Sequence, residues 1–388
     1  LRSCVRPLGE EGVPLREALG RTLARDVVSA EVVPSFHKSA MDGFALRGAE
    51  TFGATPTDPV SFRVIGEIFP GDRGDLAIGP GEAVRIMTGG VVPEGADAIL
   101  MAEFASDQGD VVLANASVVP GRNVARAGED IQEGDRVLAR GRILRPQDLG
   151  VLASIRVSEV EVVRRPLVGI LTTGNELVEH DSVEATRPGQ VVNSCGPMLE
   201  GLVRQTGGDP KRLGTAQDEQ EALRKALLAF RGDLLITTGA TAVGQEDYLP
   251  GLLTELGELL VHGVNIRPAS PLGFGRLGDA LVVLLPGNPV AAMVGFDVFV
   301  RPVIQLHLGQ AEGRMNQRVH RRLTRKLASA LNRTDFVRVR LVEEDGVEPL
   351  RTGGAGVLTS VTRADGFVIV PRDDEGLEAG TEVEVFLY

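Results

Sequence analysis

Three apolar runs in this chain break off in glycine-bearing turns: LVGILTTGNEL (Leu167–Leu177), LLITTGATAVG (Leu234–Gly244) and VVLLPGNPVAA (Val282–Ala292). Gly174, Gly239 and Gly287 can take φ > 0 and let the backbone come close to a ligand. Successive backbone N–H groups and helix N-termini at such turns form concavities that bind anions. Acids accompany them: Glu176 and Asp247 each follow a strand-end turn, and Asp218 opens a helical stretch near another strand's end. A carboxylate beside an anion site handles a ribose hydroxyl, a base edge or a cation. Asp218 has a second reading as a helix N-cap, with Glu221 as its capping-box partner.

Such loops need a scaffold, and the surrounding pattern supplies one. Between Arg165 and Gly309, strand-like runs (Val168–Leu171, Leu234–Thr237, Leu281–Leu285) alternate with helical stretches. Helices are expected from Ser194 to a stop at Gly207, from Asp218 to Phe230, over Leu249–Leu256, and over Val290–Leu308 with a bend or break at Pro302. Alternation of this kind implies a doubly wound parallel α/β sheet, whose ligands bind beyond the carboxyl ends of the strands. GFGRLG (Gly273–Gly278) matches GxGxxG, yet it precedes a strand and opens no helix, so it reads as a hairpin turn. Neither a Walker A motif nor a GxSxG elbow occurs, which disfavours a P-loop NTPase or an α/β-hydrolase.

At 388 residues the chain exceeds one comfortable core. Residues 1–46 with 141–164 read as an N-terminal and linker domain, carrying helical stretches at Leu15–Leu23 and Arg142–Arg156. Residues 47–140, dense in Gly and Pro with short alternating runs, read as a β-rich domain. Residues 165–309 form the α/β domain, and 310–388, with a hairpin turn at Asp345-Gly346, read as a small β-barrel. A net charge of −12 without a Lys/Arg block of five or more disfavours nucleic acid, and the basic stretch RMNQRVHRRLTRK reads as a solvated face, while local donors can still hold an anionic small molecule. No run approaches a membrane span and no secretory h-region opens the chain, so a cytoplasmic protein without a membrane partner is expected. Cys4 and Cys195 offer no disulfide framework, and no CxxC or HxxxH pair offers a metal site.

In order along the chain, PSFHKSAMDGFALRG, AVRIMTGGVVPEGADAILMAE, GRNVARAGEDIQEGD, TTGNEL, GQVVNS, LPGNPVAAM and ADGFVIVP resemble the molybdopterin molybdenumtransferases, relatives of the gephyrin E domain. The likeness spans nearly the whole chain, and SAMDG, IMTG and PGNP together are specific to it. It implies an elongated homodimer of four-domain subunits, with one domain resembling molybdopterin adenylyltransferase, which is itself the expected pathway partner. It also implies insertion of molybdate into adenylylated molybdopterin with release of AMP, assisted by Mg²⁺. The site would lie where the α/β domain of one subunit faces the N-terminal regions of the other. Residue by residue, the likeness puts Asp42, Thr88, Asp130, Glu176 and Asp247 at catalytic positions. It puts Gly174, Asp218, Gly239, Arg267, Ser270, Gly287, Asn288 and Pro289 at substrate-binding positions, with Asp42, Asp218 and Asp247 as candidate metal ligands.

Three segments depart from the family. A loop usually reading Gly-Gly-x-Ser-x-Gly is Gly239-Ala240-Thr241-Ala242-Val243-Gly244, and one resembling Lys-Pro-Gly-Lys-Pro is Arg267-Pro268-Ala269-Ser270-Pro271. A C-terminal Gly-Ser-Gly is Gly354-Ala355-Gly356. Hydroxyls, an ammonium and two glycines are thereby missing, and the added Cβ atoms of Ala240 and Ala269 are expected to exclude φ > 0. Weakened insertion activity is expected. Two alternatives stay open: a divergent paralogue that binds a pterin or nucleotide without insertion, and a gephyrin-like interaction scaffold.

Overall fold

The computed structural model describes residues 4–183, 186–240, 248–310, 317–342, 345–350 and 357–388. The alternating runs of the second region, joined by Gly43–Leu46 from the first, fold into a six-stranded sheet with apolar cores on both faces. Phe44, Leu46, Phe62 and Leu100 fill one core, and Ala45, Ile68, Ile86 and Ile99 the other. Period-two alternation sends neighbouring residues to opposite faces, which is why Phe44 and Ala45 part company. Gly43 opens one strand where an added Cβ would lie 2.0 Å from the Leu100 carbonyl oxygen, so only glycine fits beneath the loop that carries Asp42.

The chain then returns to where it began. Val13, Ala18 and Leu23 share a core with Ile131, Leu144, Leu152 and Val160, and the strand Glu10–Pro14 pairs antiparallel with Glu159–Val163. The helix expected over Leu15–Leu23 is a correction: only a 3₁₀ turn forms, Leu15–Glu17. Gly20 at φ +74 turns the chain outward, and Thr22 and Leu23 bridge to Ile143 and Val162. The apolar spacing served burial, not a helix. The helix expected over Arg142–Arg156 is present as Pro146–Ser154, with Pro at its first turn.

The central sheet holds β1 (Leu167–Thr173), β2 (Asp209–Ala216), β3 (Leu234–Thr238), β4 (Glu258–His262), β5 (Gly273–Leu277) and β6 (Ala280–Leu285), in the order β2-β1-β3-β6-β5-β4. The first four in that order run parallel, and β5 and β4 add an antiparallel edge. The GFGRLG segment is thus strand β5 plus the turn at Gly278, a hairpin onto β6. Strands β1, β3 and β6 are buried on both faces, which suits their nearly continuous Val/Ile/Leu runs. Chain order reverses between β1 and β3, so the topological switch point falls at the Gly174 and Gly239 loops.

The long terminal helix of this domain is Pro289–Gly295, then a π-helical turn, Phe296–Val300, then Arg301–His307. The π turn absorbs the hydrogen bond that Pro302 cannot donate. Pro289–His307 is long and apolar enough to cross a membrane by composition, yet 67% of it is buried inside the protein, as a core helix should be. Five C-terminal strands (Arg318–Leu323, Thr334–Leu341, Gly346–Pro349, Gly366–Val370, Glu382–Leu387) form a closed barrel, because Thr334–Leu341 pairs with strands on both sides. Phe336, Phe367 and Phe386 of the barrel pack with Val294 of the long helix, fixing barrel to α/β domain along one seam.

Candidate functional site

The strand-end loops converge as the switch-point rule requires. A cavity of about 520 Å³ is lined by Thr173, Glu176, Asp218, Gly239, Gly287, Asn288 and Pro289, together with Asn193, Cys195 and Leu358. Gly239 sits at φ +89 where an added Cβ would lie 2.5 Å from the Thr173 carbonyl oxygen and 2.7 Å from its hydroxyl. Gly174 also takes positive φ, +151. Gly287 does not, which corrects the reading of that turn: it is a close approach, its would-be Cβ 3.4 Å from Gly239 Cα. Gly239→Ala combines left-handed strain with overpacking, so it should destabilise the protein by about 2–4 kcal/mol. Calorimetry checks this; an unchanged melting temperature would mean that the loop simply moves aside.

Asp218 does not cap its helix, contrary to expectation. The helix is Gln220–Ala229 with Glu219 at the cap position and no side-chain cap. Asp218 is held one step upstream, where its N–H donates to Asn175 Oδ1 at 3.1 Å, and so it faces the cavity. Asp247 and the departures Ala242 and Ala355 lie outside the described residues.

A second cavity of about 750 Å³ lies at the seam with the barrel, lined by Arg267, Ala269, Ser270, Arg325, Lys326, Asp335 and Arg338. Asn288 lines both cavities, so they adjoin. Most cations here are engaged: Arg267 pairs with Asp335, Arg325 with Glu348, and Lys326 Nζ with Glu378 at 2.6 Å. Arg338 is different. It is 4% exposed, its Nε has no hydrogen-bond partner, and no carboxylate pairs with it among the described residues. Burial pushes its pKa down from the usual arginine value, though a guanidinium stays charged at neutral pH. A buried unpaired cation on a cavity wall is a costly arrangement unless an anion completes it.

Ala240 and Ala269 overturn another expectation, because both hold positive φ, +48 and +93. The loops keep the conformation that glycine would favour and carry the strain. Ser270 turns its hydroxyl onto its own loop, donating to the Ile266 carbonyl at 2.8 Å.

Asp42 and Thr88 do meet each other. Asp42 Oδ1 accepts from both the N–H and the hydroxyl of Thr88, each at 2.7 Å, which holds its carboxyl below the usual carboxylate range. Asp130 lies in the segment following Val124–Ala125, which pairs with Lys38–Ser39 just before Asp42. None of these three lines either cavity within one chain. Asp335 and Arg338 of the barrel escaped the sequence reading, and Arg325 and Lys326, at the end of the basic stretch RMNQRVHRRLTRK, read there as part of a solvated face. VRVRL alternates as a half-exposed strand does, and only tertiary contact shows that Arg338 is buried while Arg340 is exposed.

An α/β sheet with a glycine-bordered cleft at its switch point, adjoining a seam with several cationic side chains, is the architecture in which α/β proteins place their ligand sites. Residues 1–155 match the MoeA N-terminal region (domain I and II), 169–306 a probable molybdopterin binding domain, and 320–388 the MoeA C-terminal region (domain IV). The molybdopterin molybdenumtransferase of Bacillus subtilis is 35% identical, covering 97% of this chain and 89% of that protein. That of Staphylococcus aureus strain COL is 31% identical, over 97% and 90%. A crystal structure of the molybdopterin biosynthesis MoeA protein from Pyrococcus horikoshii OT3 superposes with a TM-score of 0.86 at 32% identity, covering 100% of this chain and 97% of that one. The chain belongs to the MoeA family, the molybdopterin molybdenumtransferases, enzymes of molybdenum cofactor biosynthesis.

Proposed function

We propose that this chain inserts molybdate into adenylylated molybdopterin and releases AMP. The observation that carries the reading is Arg338: a buried guanidinium that no carboxylate pairs with among the described residues, on a cavity that adjoins the switch-point cleft. Glycine-bearing strand ends suit the phosphate and nucleotide, and the cationic seam suits a tetrahedral oxoanion alongside. Mg²⁺ would be held by carboxylates, with Asp42, Asp218 and Asp247 as candidates, and would offset phosphate charge as the phosphoanhydride breaks. Asp42 fits that duty, since its Thr88 donors keep it ionised and it is exposed.

Asp42, Thr88 and Asp130 line neither cavity within one chain, so the reading includes a homodimer with shared sites. The sheet end bearing Asp42 and Thr88 also exposes Met41, Phe69 and Phe104 (41%, 49% and 46% exposed), an apolar rim suited to a partner surface. Sedimentation showing a monomer at micromolar concentration, with ligand binding intact, would rule the dimer out. A cytoplasmic location and a molybdopterin adenylyltransferase as supplier of the adenylate go with this reading.

The direct test incubates the protein with adenylylated molybdopterin, Mg²⁺ and molybdate, then measures AMP release and reconstitution of an apo-molybdoenzyme. Absence of both would sink the proposal. The family departures give a graded version. Ala240→Gly and Ala269→Gly should relieve left-handed strain of about 1–2 kcal/mol per residue and raise the melting temperature. Adding Ser270→Lys places an ammonium where a hydroxyl now faces its own loop, and should raise kcat/KM for molybdate about tenfold. An unchanged or lowered value would mean that Arg338 already does the work of that lysine.

A further inference from the structure

In the wall of the strand-end cleft lies a polar cluster to which the proposed chemistry assigns no role. Asn193 is 1% exposed and uses both ends of its amide. Its Nδ2, with two hydrogens to donate, has three acceptors within hydrogen-bond distance: Thr172 Oγ1 (2.9 Å), Glu179 Oε1 (3.0 Å) and Thr215 Oγ1 (3.1 Å). Its Oδ1 accepts the N–H of Gly196 at 3.0 Å, in the first turn of the helix Cys195–Thr206, whose cap residue Ser194 makes no side-chain cap bond. Glu179 in turn accepts from Thr215 Oγ1 at 2.7 Å and from Arg212 at 2.5 Å. The backbone follows the same path, with Asn193 N–H donating to the Val178 carbonyl and Val191 N–H to that of Glu176, both at 2.8 Å. From the helix, Cys195 Sγ donates to the Gly287 carbonyl oxygen at 3.4 Å.

We infer that Asn193 and Glu179 are positioning residues for the strand-end site. One buried amide ties together the ends of β1 and β2, the loop carrying Glu176, and the helix N-terminus, which reaches Gly287 through Cys195. None of its atoms need touch substrate. A donor fork is required because the amide meets a carboxylate and two hydroxyls at once, which neither a serine nor an aspartate provides. The charged groups around it are Glu179, Arg212, and beside Glu179 the exposed His180 and Asp181. The inference rests on the proposed reading for its kinetic consequence, but the brace itself has a ligand-free signature.

The test is Asn193→Asp in the full-length protein, compared with the swapped pair Asn193→Asp/Glu179→Gln. The single substitution sets a new carboxylate against that of Glu179, and two such groups cannot both ionise at hydrogen-bond distance. At about pH 8, amides 191–196 should exchange hydrogen at least about tenfold faster than in wild type. In the same variant kcat should fall about 10²-fold with KM changed less than about threefold. Lowering the pH to about 6 returns a shared proton, and with it a donor, so both defects should shrink relative to wild type at the same pH. The swapped pair puts the amide donor at position 179 and the carboxylate acceptor at position 193, and should restore both at pH 8. Wild-type exchange in Asn193→Asp, or a defect independent of pH and unrelieved by the swap, would overturn the inference. Thr215→Val is the milder probe should Asn193→Asp not fold, read by the same exchange. Loosened exchange in a protein whose wild type releases no AMP would uphold the brace and remove the proposed function.

Discussion

Asp42→Ala is expected to lower turnover at least about 10³-fold while leaving the melting temperature within a degree or so, because an exposed loop carboxylate adds little to a core but several kcal/mol to a cation or phosphate transition state. The carboxylate is exposed, accepts both Thr88 donors, and pairs with no cation among the described residues, so it is displayed outward while staying ionised. Its pKa is lowered, so its contribution holds above the ordinary carboxylate range and is lost only as pH falls below it. The wild-type rate should accordingly show no acidic limb from Asp42 above about pH 5. In the proposed homodimer the defect should also be complemented in trans. Mixing Asp42→Ala with a variant crippled at Arg338 yields heterodimers with one intact site each, and about a quarter of full activity should return under random exchange. No recovery, with subunit exchange shown by tagged copies, would mean that Asp42 serves its own chain or none.

How much of this was legible before the structure differs by residue, for physical reasons. The strand-end glycines and β1, β3 and β6 were readable because buried parallel strands give unbroken apolar runs and the turns interrupt them sharply. β2 was not, since DPKRLGTA at the sheet edge is half exposed and carries no run. The Leu15–Leu23 spacing imitated a helix because successive core contacts of an irregular chain can also fall three or four residues apart. Asp218 looked like a cap because Asp before a helical stretch usually is one; its backbone bond to Asn175 could not be seen in sequence. Ala240 and Ala269 were misjudged for the opposite reason. Propensity says alanine avoids positive φ, yet packing around the cavities overrides about 1–3 kcal/mol of local strain. Asn193 stood in the sequence only as part of the family-like stretch GQVVNS; its role lies in partners drawn from β1, β2 and the Glu179 loop, which no spacing reveals.

Arg338→Met is expected to separate stability from activity in opposite directions. Methionine keeps most of the aliphatic volume of the arginine stem, so the barrel wall stays filled. What disappears is a guanidinium that is 4% exposed, with an unpartnered Nε and no carboxylate to pair with among the described residues. Removing an uncompensated buried charge should leave the melting temperature unchanged or higher, whereas deleting an ordinary structural arginine lowers it. Activity should move the other way. A molybdate oxygen pair held by two charge-assisted hydrogen bonds of about 1.5–3 kcal/mol each would lose about 10²–10³-fold in kcat/KM. The neighbours do not compensate, because Arg267, Arg325 and Lys326 are already committed to Asp335, Glu348 and Glu378. The loss should fall on molybdate concentration dependence more than on binding of the adenylate, which the proposed reading assigns to the strand-end cavity. A variant that melts lower and turns over molybdate normally would make Arg338 a packing residue, and the seam would lose its claim to the oxoanion.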